Sequence, residues 1–236
     1  MKLNTENNLY TILYIVVVVI VVAFLLAFSY SGLKSRSDAN ERINKKEQIL
    51  AALNLRNLPK DSVDAVYKQV VVSDLVITAD GQVVKKGEKQ DQDGFQIERK
   101  AFSKDNLPLY ICQIDGDTKY VLPMVGKGLW GSIWGFISVN ADGKTVYGAY
   151  FAHESETAGL GAIINEPSFQ NQFQGKLIAT AEGDTLQVVK SGAANNEPTK
   201  CDGVTGATLT SNGVNMMIHT YLNYYLPYLN SLNNPQ

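Results

Sequence analysis

The charge-free run between Glu6 and Lys34 constrains this chain more than any other feature. Residues 9–33 are dominated by Val, Ile, Leu and Phe and carry no charged side chain. As a helix they rise about 37 Å, against about 30 Å of bilayer hydrocarbon, so they span with some tilt. A Val-rich run is a poor helix former in water, but lipid leaves the backbone only a helix or a closed barrel. Tyr10, Tyr14 and Tyr30 lie near the two ends, where amphipathic rings favour the interface. A cleaved signal peptide is the competing reading, with Ala27-Phe28-Ser29 as a cleavage-like triplet. The stretch exceeds the roughly 7–15 apolar residues of a signal peptide, and Lys2 is offset by Glu6, so a retained single span is expected. Lys34, Arg36, Arg42, Lys45 and Lys46 follow the span and only Lys2 precedes it. Counted alone, these charges would keep the large domain in the cytoplasm. The rule weakens for long translocated domains, and the residues leave the side open.

The rest reads as a folded domain. Of all 236 residues 45% are apolar and 19% charged, and Lys+Arg 21 against Asp+Glu 23 gives a net charge of −2. That composition excludes a disordered chain and argues against nucleic acid as a partner. Residues 35–56 have helical spacing of Ile43, Ile49, Leu50 and Leu53. Ser62–Val72 is a second short helix, with Asp61 or Ser62 as N-cap. The period then changes to two. Ala79-Asp80-Gly81, Asp115-Gly116-Asp117, Ala141-Asp142-Gly143 and Glu182-Gly183-Asp184 each separate two β-prone runs and predict four hairpins. Residues 86–106 are a polar surface excursion. The spacing of Val214, Met217, Ile218, Tyr221, Leu222 and Tyr225 predicts a final amphipathic helix over 209–226, closed by Pro227. The class is therefore α+β, an antiparallel sheet with packed helices preceded by one transmembrane helix. Its expected divisions are an anchor at 1–33, a helical connector at 34–74 and the α+β domain at 75–236.

Two histidines and two cysteines offer no metal-ligand spacing. The nucleophile elbow, the Walker A loop and a dinucleotide fingerprint are all missing from the sequence. No self-sufficient catalytic set is expected and no metal site. Three glycine-rich segments remain. Residues 125–136 (Val-Gly-Lys-Gly-Leu-Trp-Gly-Ser-Ile-Trp-Gly-Phe) let a backbone approach something flat, or simply bend a strand around core tryptophans. Residues 153–162 follow a strand and present amides to an anion or carbonyl, or form an ordinary loop. Residues 202–214 run into the last helix, where the helix dipole would favour a phosphate. The plainer reading is capping by Thr208, Thr210 or Ser211.

Asp202-Gly-Val-Thr-Gly-Ala-Thr208 resembles the D-x-x-[ST]-G-A-[ST] flavinylation signature of the FMN-binding domain family. Glu156-Thr-Ala-Gly-Leu-Gly161 is similar to that family's E-T-P-G-L-G element, with Ala158 in place of Pro. The Trp-rich first segment resembles the C subunits of Na+-translocating NADH:quinone reductases. The related G subunits of Rnf-type ferredoxin:NAD oxidoreductases share the other two segments and are one alternative. A membrane-anchored binding module whose glycine segments are only turns is another.

The resemblance implies covalent FMN on Thr208 through a phosphoester, placed by a flavin transferase. It implies that Thr205, Gly206, Ala207 and Thr210 are near enough to donate to the phosphate, and that Asp202 and Leu209 also belong to the cofactor site. Glu156, Thr157, Gly159, Leu160 and Gly161 would face the ribityl chain or ring, Trp130 would line the ring, and Lys190 is a possible cation for either. The flavin performs the redox chemistry, so no side-chain acid or base is required. The resemblance implies other membrane subunits as partners, with electrons arriving from a membrane iron centre and leaving to a neighbouring flavin. It also places the soluble domain in the periplasm of the bacterial inner membrane. That compartment would permit Cys112 and Cys201 to pair, with two free thiols the open alternative.

Overall fold

The computed structural model describes residues 8–88 and 90–233; Lys2 and Glu6, which set the charge before the span, lie outside them. The chain divides into two compact units, Met1–Lys45 and Lys46–Gln236. Helix α1, Asn8–Ala52, is one continuous helix of 45 residues. It is long and apolar enough to cross a membrane, with a mean hydropathy of 3.2 over its most apolar window. Large apolar side chains from Ile12 to Leu33 all stand exposed, Phe24 by 71% and Phe28 by 74%. A helix that is apolar all round is suited to lipid, not to a soluble surface. The expected second helix at 35–56 is the continuation of α1. No Pro interrupts the sequence there, and Gly32, its one glycine, costs only about 1 kcal/mol in a helix. The helix stops where Asn54 takes φ +63°, with Leu55 N–H bonded to Leu50 O and Asn54 N–H to Ala51 O. That double bond pattern satisfies the last carbonyls, and Asn serves where Gly is commoner.

Helix α2 (Lys60–Val70) begins ahead of the expected Ser62, with Pro59 at the cap and no side-chain capping bond. Ser62 instead turns its hydroxyl back to Pro59 O at 2.8 Å. The six-stranded sheet follows: β1 (Val71–Ile77), β2 (Val83–Lys85), β3 (Leu107–Ile114), β4 (Asp117–Lys127), β5 (Ser132–Asn140) and β6 (Val146–His153). Its order is β2-β1-β3-β4-β5-β6, every neighbour antiparallel. Three of the four hairpins thus form at the expected turns. Asp115 and Gly116 both take positive φ, +52° and +86°, the conformation a two-residue hairpin needs and Asp-Gly supplies.

One row of directly paired residues, Asp74, Tyr110, Val121, Ser138 and Gly148, crosses five strands on a single face. The last turns of α1 and α2 bury it. Ser138 donates to Ala52 O at 2.6 Å, and Ile49, Leu50, Leu53, Val63 and Tyr67 are fully buried. Asp74, also fully buried, accepts the amides of Phe95 (2.8 Å) and Asp93 (3.1 Å). Those bonds pull the 86–106 excursion inward, so Phe95 is core where a surface loop was expected.

Helix α4, Thr208–Asn233, packs on β4 across the other face. All six residues of its expected apolar face are buried. The expectation that Pro227 ends it fails. Tyr228 and Leu229 are buried beyond the proline, and the β1–β2 turn at Gly81 lies against the Pro227–Tyr228 backbone. Tertiary burial outweighs the one backbone bond a mid-helix proline removes. Earlier in the helix, Tyr225 places its hydroxyl 2.8 Å from both Pro108 O and Pro123 O, bridging two central strands.

The fourth hairpin is corrected. Its turn forms, with Thr180 N–H bonded to Asp184 O, and the flanks meet in a single antiparallel bridge, Ala179 with Thr185, and a Leu186 N–H bond to Ile178 O, without becoming strands. Strand β7 (Gln187–Val189) pairs in parallel with β8 (Lys200–Asp202), and Val188 N–H goes to Asn215 of α4. The helix supplied a partner that turn chemistry could not foresee. Helix α3 (Pro167–Gln170) and two short 3-10 turns beside it fill the end of the sheet. There Phe151, Phe169 and Phe173 meet with ring centroids 4.9–5.8 Å apart. Cys112 (β3) and Cys201 (β8) are separate, buried free thiols.

Candidate functional site

The three glycine-rich segments converge. The β4–β5 loop, the loop after β6 and the start of α4 enclose a cleft of about 210 Å³. Close approach is what the glycines permit. A β-carbon on Gly126 would stand 2.8 Å from Met217 Cβ, and one on Gly213 would overlap Lys127 O, so α4 lies directly on the end of β4. Gly161 is held the same way, 2.5 Å from Glu156 Oε2 and 2.6 Å from Thr210 Oγ1 at its would-be β-carbon.

Leu129, Leu160 and Leu209 form apolar walls and are 45%, 42% and 60% exposed. Glu156, Thr157 and Gly161 contribute from the loop after β6, and Gly206, Ala207, Thr208 and Thr210 from the head of α4. Among the described residues, Glu156 is the only ionisable side chain on the cleft wall. Burial would raise its carboxyl, but the Thr210 hydroxyl and the amides of Trp130, Leu129 and Gly131 outweigh that and hold it below the usual range. It is therefore an anion at neutral pH.

The hydroxyls at this helix head are in four different states. Ser211 is buried and accepts Val204 N–H at 2.9 Å. Thr210 is buried and donates to Glu156 at 2.6 Å. Thr205 is exposed and paired with Ser191 at 2.8 Å. Thr208 is exposed, lines the cleft and makes no side-chain hydrogen bond among the described residues. The first helix bond runs from Ser211 N–H to Ala207 O. The amides of Thr208, Leu209 and Thr210 thus have no intrahelical acceptor and point out of the helix end.

Other expected site residues lie around this centre. Gly159 carries the tight turn of its loop at φ +74°. Asp202 is half-buried and accepts Ala194 N–H at 3.0 Å, while its own amide goes to Gln172; it pins the loop before the helix. Trp130 stands 67% exposed and gives its amide to Glu156 at 2.9 Å. Lys190 is exposed in the turn after β7. Neither is part of the cleft wall. Sequence reasoning overlooked Leu129, which lines the cleft beside Trp130, and the close packing of Gly213. A glycine inside an otherwise strong helix was the available signal for the second.

Such a fold, with glycine-rich loops meeting a helix head, defines an FMN-binding domain, and the family model of that description matches residues 128–223. The chain belongs to the family of the C subunits of Na+-translocating NADH-quinone reductases. It is 30% identical over 222 residues to the C subunit of Haemophilus ducreyi, covering 84% of this chain and 83% of the relative. It is 31% identical to that of Vibrio vulnificus, covering 80% of each. The crystal structure of the C subunit from Parabacteroides distasonis superposes with a TM-score of 0.76 at 34% identity, covering 84% of this chain and 96% of that one. The Shewanella oneidensis NqrC structure, at 23% identity and a TM-score of 0.69, shares the fold.

Proposed function

We propose that this chain is the membrane-anchored electron-transfer flavoprotein subunit of a Na+-translocating NADH:quinone reductase, with FMN carried as a phosphoester on Thr208 Oγ1. The observation that carries this is the state of the hydroxyls. Of the hydroxyls at the head of α4, Thr208 alone combines exposure, a place on the cleft wall and no partner among the described residues, while Thr205, Thr210 and Ser211 are engaged. Thr157, also exposed on the wall, lies in the loop after β6, away from the free amides of that helix.

The donor set fits an FMN. Free amides at the head of α4 and the positive end of its dipole favour a phosphate. Leu129, Leu160 and Leu209 offer an apolar wall to a flat ring. Among the described residues no cation lines the cleft, so a phosphate would rest on amides alone. A covalent bond gives the retention that a Lys or Arg would otherwise supply. When bound, FMN supplies one-electron redox chemistry, and the protein supplies position and electrostatics. The residues of this chain need move no proton. Partners under this reading are the other subunits that deliver and accept electrons, and a flavin transferase for maturation. The charge-free part of α1 tethers the domain in the bacterial inner membrane, with the domain on the periplasmic side.

Co-expression with an active flavin transferase tests the attachment. A denaturing gel under ultraviolet light is expected to show a fluorescent band for the wild type and none for Thr208→Ala. An unlabelled wild type, with the transferase active on another acceptor, overturns the proposal.

A further inference from the structure

Glu156 lines the cleft yet is only 7% exposed, and both its oxygens are turned toward the protein. Oε2 accepts the Thr210 hydroxyl at 2.6 Å and Oε1 the Trp130 amide at 2.9 Å. The Leu129 and Gly131 amides act on the same carboxylate. These donors come from the β4–β5 loop and the first turn of α4, while Glu156 itself sits in the loop after β6. One carboxylate therefore joins all three glycine-rich segments. Gly128 and Gly161 leave the room for it, since a β-carbon on either would run into a Glu156 oxygen.

We propose that Glu156 is the positioning residue of the flavin site: it locks the three segments into one cleft, holds Thr210 Oγ1 engaged so that Thr208 is the free hydroxyl on the cleft wall at the head of α4, and fixes a negative charge in the cleft wall. The inference rests on the reading that the cleft takes FMN. An ionised carboxylate has only acceptor sites, which suits a ring of hydroxyl and amide donors. Glutamine would set its own NH2 donor against one of them. Reducing the ring adds negative charge to it, and a fixed anion in a partly desolvated wall opposes that charge, lowering the reduction potential.

The test uses the full chain in detergent, as wild type, Glu156→Gln and Glu154→Gln. Glu154 is an exposed neighbour whose carboxylate accepts the Ser132 amide at 3.3 Å, outside the cleft wall. Before flavin is added, limited trypsin digestion reads the clamp at the Lys127–Gly128 bond, where the Lys127 side chain is exposed but its carbonyl is covered by α4 while the segments stay together. Cleavage is expected to accelerate about tenfold in Glu156→Gln, the scale of one lost charged hydrogen bond, and to be unchanged in Glu154→Gln. With transferase and flavin, Glu156→Gln is expected to incorporate label several-fold more slowly and, once loaded, to titrate at a more positive potential. Glu154→Gln should match the wild type in both. Wild-type digestion, incorporation and potential in a folded Glu156→Gln would overturn the positioning role while leaving the flavin reading intact. A wild type that accepts no flavin overturns the flavin reading and this proposal with it, whatever the digestion shows.

Discussion

Gly213 rides so closely on Lys127 that a β-carbon there would overlap the Lys127 carbonyl oxygen. A helix glycine normally costs about 1 kcal/mol relative to alanine, so Gly213→Ala should help an isolated helix. Here the clash is with backbone at the end of a central strand, and overpacking of that kind costs about 1–3 kcal/mol. The clash wins. Gly213→Ala is expected to lower the urea midpoint and to reduce flavin incorporation, because the helix head and the β4–β5 loop can no longer meet. Unchanged stability would show that α4 shifts without penalty.

Hydroxyl chemistry at the helix head yields a second outcome. Thr208→Ser retains an acceptor oxygen and should still be labelled in the gel assay. Thr205→Ala removes only an exposed contact to Ser191 and should be labelled like the wild type. Ser211→Ala leaves the buried Val204 amide without its acceptor and should cost about 1–2 kcal/mol, with label retained. Loss of label in Thr205→Ala would place the attachment on the wrong threonine.

Much of the fold was legible beforehand, for identifiable reasons. Asp115-Gly116 announces its hairpin because few dipeptides accept two positive φ values in succession. The α4 face is legible because Val214, Met217, Ile218 and Leu222 repeat at helical spacing and pack on a sheet. What was hidden depends on partners distant in sequence. The Glu182-Gly183-Asp184 turn is real, but Asn215 and Lys200 decide what its flank pairs with. Pro227 reads as a stop only until Tyr228 and Leu229 find a core to fill. At the site, motif spacing located the three segments. It did not reveal that Leu129, not Trp130, forms the wall, because adjacent loop residues give no period from which to tell inside from outside.

Lys46 is a buried cation of the domain's back face. Its ammonium is 2.6 Å from Asp64 and 2.5 Å from Asp91 and lies 4.7 Å from the Tyr67 ring centroid. Lys46→Met should cost about 3 kcal/mol, because Asp91, 14% exposed, loses its cation. Asp64 is 42% exposed, so solvent screening reduces its share. Asp64→Asn should cost about 1 kcal/mol at neutral pH. Hydrogen bonds from Lys46 and Lys68 hold the Asp64 carboxyl at about 2. Its folded value lies below its unfolded one of about 4, so its contribution is present above pH 4 and fades as pH falls toward 2. Denaturation curves of wild type and Asp64→Asn should therefore converge near pH 2. A gap that persists there would assign the effect to packing.

The two buried cysteines make the orientation of the domain measurable. Cys112 and Cys201 are 0% and 1% exposed, and burial raises both thiols, Cys201 to about 12. A thiolate-selective, membrane-impermeant maleimide should thus leave the folded wild type unlabelled. Glu182 lies in an exposed turn far in sequence from the cleft segments, so Glu182→Cys adds one reactive thiol without touching the site. If the domain faces the periplasm, that variant is labelled in cells whose outer membrane alone has been opened. Labelling only after the inner membrane is broken would place the domain in the cytoplasm, as the lysines and arginines after the span would have it. The charge rule then would have prevailed despite the length of the domain.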